Sequence, residues 1–126
     1  MTPEARDYLD KAREDLDEAH KILAIHLAKA AARSAYYAAF HAAEALIIER
    51  TGKVAKTHSG VRTMLASALA SGHRDLLTFL ARAYKFKEIG DYGVGDGAIV
   101  TEQEATDVVE GAAQFIALIS SLLPKT

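Results

Sequence analysis

The sequence predicts an all-α protein, an antiparallel up-and-down bundle of four to five helices, and three observations carry that expectation. Alanine supplies 25 of the 126 residues, and the only two prolines, Pro3 and Pro124, stand at the extremes. The apolar residues advance by threes and fours rather than alternating as a strand would. Alanine is the strongest helix former and an interior proline the strongest breaker. With no proline from residue 4 to residue 123, the breaks have to come from glycines and caps.

The first helix opens with Thr2 as N-cap and Pro3 at the first helical position, where a missing N–H costs nothing. Its apolar stripe runs Ala5, Tyr8, Leu9, Ala12, Leu16, Ala19, Ile22, Leu23 and Leu27, with Arg6, Asp10, Glu14, Asp17 and Lys21 on the other side. The second, over residues 28–50, is apolar almost all round. Ala32, Tyr36, Ala39, Ala43, Leu46 and Ile47 fill one sector, Tyr37, Phe40 and Ile48 the next, and small Ser34, Ala38, Ala42 and Ala45 the remainder. Such a helix belongs at the centre of a bundle or between a core and a dimer interface. Thr51-Gly52 ends it, and residues 52–57 form a short basic loop with Lys53 and Lys56.

A third helix begins near His58-Ser59-Gly60, presents Val61, Met64, Leu65 and Leu69, and stops or bends at Ser71-Gly72. The fourth runs from about His73 to Ile89, with Leu76, Leu77, Leu80, Ala83, Tyr84 and Phe86 inward. Residues 90–97, with four glycines in eight positions, read as a loop. Thr101 and Glu104 then form a capping box for the last helix, whose stripe is Val108, Ala112, Phe115, Ile116, Ile119, Leu122 and Leu123.

At 13.6 kDa the chain is expected to fold as one domain over residues 1–126. Fifteen basic against seventeen acidic residues give a net charge of −2, without the basic excess of a protein held on nucleic acid by charge alone. The absence of cysteine excludes thiolate metal sites, cysteine nucleophiles and disulfides. The charged start lacks a signal-peptide core, and no run approaches the ~18 consecutive apolar residues of a membrane span. Cytoplasmic localisation without membrane association is the expectation.

The polar residues of the apolar helix pose the functional question. At 100° per residue, Arg33, Tyr37, His41 and Glu44 fall within about 80° of arc, so a guanidinium, a phenol, an imidazole and a carboxylate share one face. Buried charges need partners, so Arg33 and Glu44 pair with each other or with a neighbouring helix, or line a wet cleft. In a catalytic reading His41 serves as acid or base while Arg33 holds a phosphate. In a structural reading His41 is hydrogen-bonded inside the bundle or a dimer interface and Arg33 sits in an ion pair.

His58 lies where backbone N–H groups, Lys53, Lys56 and Arg62 suit an anion, although capping by Thr57 or Ser59 explains the same residues. Gly93-x-Gly95-x-Gly97 follows no strand and precedes no Gly-Lys-Ser/Thr, and Asp91 and Asp96 repel phosphate, so it is not a phosphate-cradling loop. Two carboxylates in such a loop make a poor metal site, and no cofactor or metal is expected.

The run Ala31-Ala32-Arg33-Ser34-Ala35-Tyr36-Tyr37-Ala38-Ala39-Phe40-His41-Ala42-Ala43-Glu44-Ala45-Leu46 resembles the signature helix of the HEPN superfamily (higher eukaryotes and prokaryotes nucleotide-binding), in its small stand-alone prokaryotic branch. Three further pieces match in order: Asp15-Leu16-Asp17-Glu18-Ala19, Thr57-His58-Ser59-Gly60-Val61, and Gly90-Asp91-Tyr92 followed by Thr101-Glu102-Gln103-Glu104-Ala105. The resemblance covers nearly the whole chain. It implies a four- or five-helix bundle that dimerises with a cleft between subunits. Many members are metal-independent ribonucleases of toxin–antitoxin or defence systems, often beside a minimal nucleotidyltransferase, and others are binding or assembly modules.

The chain departs from the nuclease pattern, an Arg with a His four to six residues beyond it on a late helix. Seven residues separate Arg33 from His41, no His follows Arg74 or Arg82 on their helix, and Arg13-x6-His20 lies among acidic neighbours on the first helix. Where the family carries an Arg four residues before the Asp-Tyr pair, this chain has Lys87, which keeps the charge and loses the bidentate fork. The expectation is a homodimeric, nucleotide- or RNA-associated accessory module with a nucleotidyltransferase partner. A metal-independent ribonuclease toxin and a non-catalytic structural adaptor are the alternatives. Arg33 and His41 are the candidate catalytic pair; Tyr37, Glu44, His58, Lys87, Asp91 and Tyr92 are the candidate ligand contacts. Any RNA site is a local patch drawing on Lys53, Lys56, Arg62, Lys85 and Lys87.

Overall fold

The computed structural model describes residues 1–70 and 72–125, and contains five α-helices and a single 3₁₀ turn. They are α1 (Pro3–Ala24), α2 (Ala28–Thr51), α3 (His58–Leu69), α4 (Arg74–Tyr92) and α5 (Glu102–Leu122), with the 3₁₀ turn at Asp96–Ala98. Caps explain the starts of α1, α3 and α5, whereas α2 and α4 begin without a side-chain cap. Thr2 accepts from the Ala5 N–H, Thr57 from the Gly60 N–H at 2.8 Å, and Thr101 with Glu104 closes a reciprocal capping box. Gly52 ends α2 at φ 71°, a left-handed conformation open to glycine at little cost.

α2 packs against all four other helices, most extensively against α1 and then α5. Most of its apolar circumference is therefore covered inside one chain, with Tyr37 and Phe40 left half-buried. The sector of small residues faces α1: Ala38, Ala42 and Ala45 are fully buried, and the Ser34 hydroxyl donates to the Asp15 carbonyl at 3.1 Å. α5 supplies the other wall through Val109, Ala112, Phe115 and Ile119. Asp96–Leu122 is apolar enough on average to cross a membrane, at a mean hydropathy of 1.2, but these residues seat it in the core.

The connection after α2 turns the chain back, so that His58 meets Tyr36 in the middle of α2 while Arg50 reaches the Ala68 carbonyl. α3 thus runs along the second half of α2 in the same direction, and α4 returns antiparallel, bringing Asp91 to Arg33.

Two expectations need correction. Leu27 lies outside α1 and is 54% exposed, because the chain turns at residues 25–27. Residues 90–92 are not loop: α4 continues to Tyr92, and the irregular segment begins at Gly93. Gly90 does not stop the helix. It makes room, since a Cβ there would lie 2.7 Å from Cδ of Arg33. Of the Ser71-Gly72 stop, Ser71 lies outside the described residues.

Candidate functional site

The four polar residues of α2 share one face, as their spacing requires, but divide into two clusters. Arg33, Tyr37 and His41 line a cleft of about 410 Å³ with Lys11, Asp15 and Glu18 of α1. They stand as a ladder. The Arg33 guanidinium lies 4.9 Å over the Tyr37 ring, and the Tyr37 and His41 rings are 6.1 Å apart. The Tyr37 ring therefore separates the guanidinium from the imidazole.

His41 is enclosed by carboxylates on both sides. Its Nδ1 donates to Glu44 Oε1 at 2.8 Å, and its Nε2 lies 3.5 Å from Asp15 Oδ2 without hydrogen-bond geometry. The side chains of His41, Asp15 and Glu44 are only 18%, 11% and 8% exposed. Lys11 approaches the other Asp15 oxygen at 3.4 Å. Asp15 is the partner that sequence reasoning missed, since contact between α1 and α2 depends on a register no local spacing encodes.

At the other end of the ladder, Arg33 turns toward α4. Its Nε donates to Asp91 Oδ1 at 2.6 Å, while Lys87 Nζ donates to Asp91 Oδ2 at 3.3 Å. These two cations, Arg33 foremost, hold the Asp91 carboxyl below its ordinary value of 3.8. Lys87 Nζ also lies 5.0 Å over the Tyr92 ring, which is 71% exposed. Arg33, Tyr37, Lys87, Asp91 and Tyr92 thus form one corner between α2 and α4. Of the features at this corner, Gly90 reads in the sequence as a breaker, although the i,i+4 spacing of Lys87 and Asp91 signals a continuing helix.

His58 sits beside this corner in an aromatic box of Tyr36, Tyr37, Phe40 and Tyr84, with ring centroids 4.6 to 6.0 Å away. Burial raises the Tyr36 phenol well above its usual range, so it stays protonated and donates to His58 Nδ1 at 2.7 Å. Burial, then Lys87 and Arg62, lowers His58 below its ordinary 6.5. Thr57 rather than His58 or Ser59 caps α3. Arg62 lies 5.2 Å over the Tyr84 ring, with its Nη1 buried and unbonded.

Arg13, by contrast, donates to Ser120 of α5. A wider groove of about 580 Å³ between α1 and α5 contains none of the candidate residues. Among the described residues, no three His, Asp or Glu side chains are grouped to hold a metal ion.

The family model for the HEPN domain matches residues 5–122. A UPF0332 protein of Gloeobacter violaceus is 28% identical over 126 residues, covering 98% of each chain. The crystal structure of TT1696 from Thermus thermophilus superposes with a TM-score of 0.83 at 28% identity, covering 97% of this chain and 100% of that one.

Proposed function

The chain belongs to the HEPN domain family, and from that premise we propose that it is a nucleotide- or RNA-associated accessory module that holds phosphate at the corner between α2 and α4. The observation that carries the reading is the sharing of one carboxylate, Asp91, by two cations, Arg33 and Lys87, beside an exposed tyrosine. Two positive charges against one negative leave the corner attractive to an anion. Tyr92, 71% exposed, offers a flat face on which a base can stack. A local patch of this kind is compatible with the overall charge of −2. In this reading the protein acts as a homodimer beside a minimal nucleotidyltransferase.

Metal-independent cleavage of RNA needs a base at the 2′-hydroxyl and a cation at the developing phosphorane, both at one phosphate. Arg33 and His41 are poorly placed for that, with the Tyr37 ring between them and both imidazole nitrogens turned to carboxylates. This geometry favours a binding module over a ribonuclease on the central helix.

The test is an anisotropy titration of a labelled single-stranded oligouridylate and a labelled adenine nucleotide in EDTA, with the same samples then run on a denaturing gel. Binding without cleavage, lost in Arg33→Ala, is expected. Cleavage by the parent that disappears in folded Arg33→Ala and His41→Ala would restore the ribonuclease reading, and absence of binding to both probes would remove the proposal.

A further inference from the structure

We infer that Gly90 and Asp91 are positioning residues that present Arg33 as a one-sided fork, whose two terminal nitrogens take the phosphoryl oxygens of the ligand. The inference rests on the binding role proposed above and specifies how that corner grips its anion. Three contacts from three different groups fix the Arg33 side chain. A Cβ at Gly90 would lie 2.7 Å from Cδ of Arg33 and 3.2 Å from its Cβ and Cγ, so the aliphatic stem rests on the α4 backbone itself. The Tyr37 ring, its centroid 4.9 Å from the guanidinium carbon, lies beneath the head group. Asp91 takes the Nε hydrogen at 2.6 Å and so anchors the inner edge of the guanidinium.

What this arrangement leaves open is as informative as what it fixes. A guanidinium has five N–H donors in one plane, and an Arg–carboxylate pair frequently uses two of them on both oxygens of one carboxylate. Here one Asp91 oxygen meets Nε and the other meets Lys87. The Nη1 and Nη2 edge of Arg33 donates to none of the described residues, and its side chain is 43% exposed. Asp91 thus holds two cations side by side against their mutual repulsion, with one edge of the guanidinium turned outward. A fork immobilised before binding has little freedom left to lose when the anion arrives.

The cradle and a simple basic patch predict opposite signs for one substitution. If charge alone drives binding, Asp91→Asn removes the competing carboxylate and tightens it. If Asp91 positions Arg33, the same substitution frees the fork and weakens binding although the net charge rises. Gly90→Ala gives a second test without altering charge, and alanine is the better helix former, so α4 is expected to persist.

The experiment titrates a labelled oligouridylate, with inorganic pyrophosphate as competitor, against the parent, Arg33→Ala, Arg33→Lys, Gly90→Ala and Asp91→Asn, each confirmed folded by its thermal midpoint. Gly90→Ala and Asp91→Asn should each weaken binding about tenfold. Arg33→Lys should bind no better than Arg33→Ala, because an ammonium lacks the planar edge. Asp91→Asn binding as tightly as the parent or tighter, or Arg33→Lys retaining parental affinity, overturns the cradle while leaving the site. Equal binding by the parent and Arg33→Ala overturns the site and the cradle together.

Discussion

Two polar clusters stand two turns apart on the same face of α2, and they differ in how fully their charges are answered. Around His41, Asp15 and Glu44 approach from both sides, and all three side chains are less than one-fifth exposed. Around Arg33, a single carboxylate is shared with Lys87, and the guanidinium is 43% exposed. The first cluster turns its polar groups on one another within the fold, although Asp15 Oδ2 accepts no hydrogen bond; the second keeps part of its polarity for something outside. Sharing a helix face therefore does not assign a common role, and the number of uncommitted donors separates the two.

The sharpest way to break this comparison is at His41. Removing the imidazole leaves the buried Glu44 carboxylate without its partner and Asp15 with Lys11 alone, and His41→Ala should cost about 3 kcal/mol of stability. A calorimetric or denaturant measurement checks this. The folded fraction should bind the oligouridylate like the parent, and lost binding at full stability would reverse the roles assigned to the two clusters.

A smaller effect is expected beside the corner, at the Tyr36–His58 contact. Tyr36→Phe keeps the ring packing and removes one hydrogen bond, which should cost about 1 kcal/mol. His58 carries a pH dependence with a definite sign. Its folded-state value is depressed below 6.5, so its contribution to stability is complete above 6.5 and is lost as the pH falls through the lower folded value. The thermal midpoint should decline with acidification through that range, and the slope should flatten in His58→Asn.

Arg33→Ala should scarcely change stability, by less than about 1 kcal/mol, because its ion pair is partly solvated. Its effect belongs to binding, which makes it the mirror image of His41→Ala. The smallest effect comes from Asp91. Its carboxyl is held below 3.8, so its contact with Arg33 is complete above 3.8 and is lost as the pH falls through its lower folded value. The Arg33 Nε–H resonance should report that loss, and a resonance insensitive to acid would show that the two groups do not meet in solution.

The helical elements are legible from local chemistry. Thr2 and Thr101 cap where their sequence neighbourhoods say they should, Thr57 is the one of the two candidates, Thr57 and Ser59, that caps α3, and the stripe of α5 faces the core. The central place of α2 is legible too, as an apolar circumference that has to be covered. What covers it is not. Local pattern leaves the apolar face open to a dimer interface, whereas the other four helices of the same chain pack against α2. Local pattern also makes Gly90 a helix breaker, whereas it is the point of close approach to Arg33. Both differences have one cause: a residue chosen for a neighbour distant in sequence looks, locally, like a residue chosen for its own backbone. The division of the site has the same origin, since Asp15 and Asp91 reach α2 from helices on either side of it along the chain.

The uneven packing around α2 has a consequence in time. α1, α2 and α5 all pack closely on one another, whereas α3 and α4 attach chiefly through α2, α4 meeting α5 through Phe79, whose ring stands 5.8 Å from that of Phe115 and against Gly111. Cooperative units with fewer partners open first, so amide hydrogens of α4 should exchange before those of the triangle. Lys87 and Asp91 depart with α4 in such an opening, leaving Arg33 behind on the lasting part. An anion gripped by Arg33 and Lys87 together would fasten the early-opening helix to the late-opening one, so occupancy of the corner should slow exchange along α4 and leave α1 unchanged.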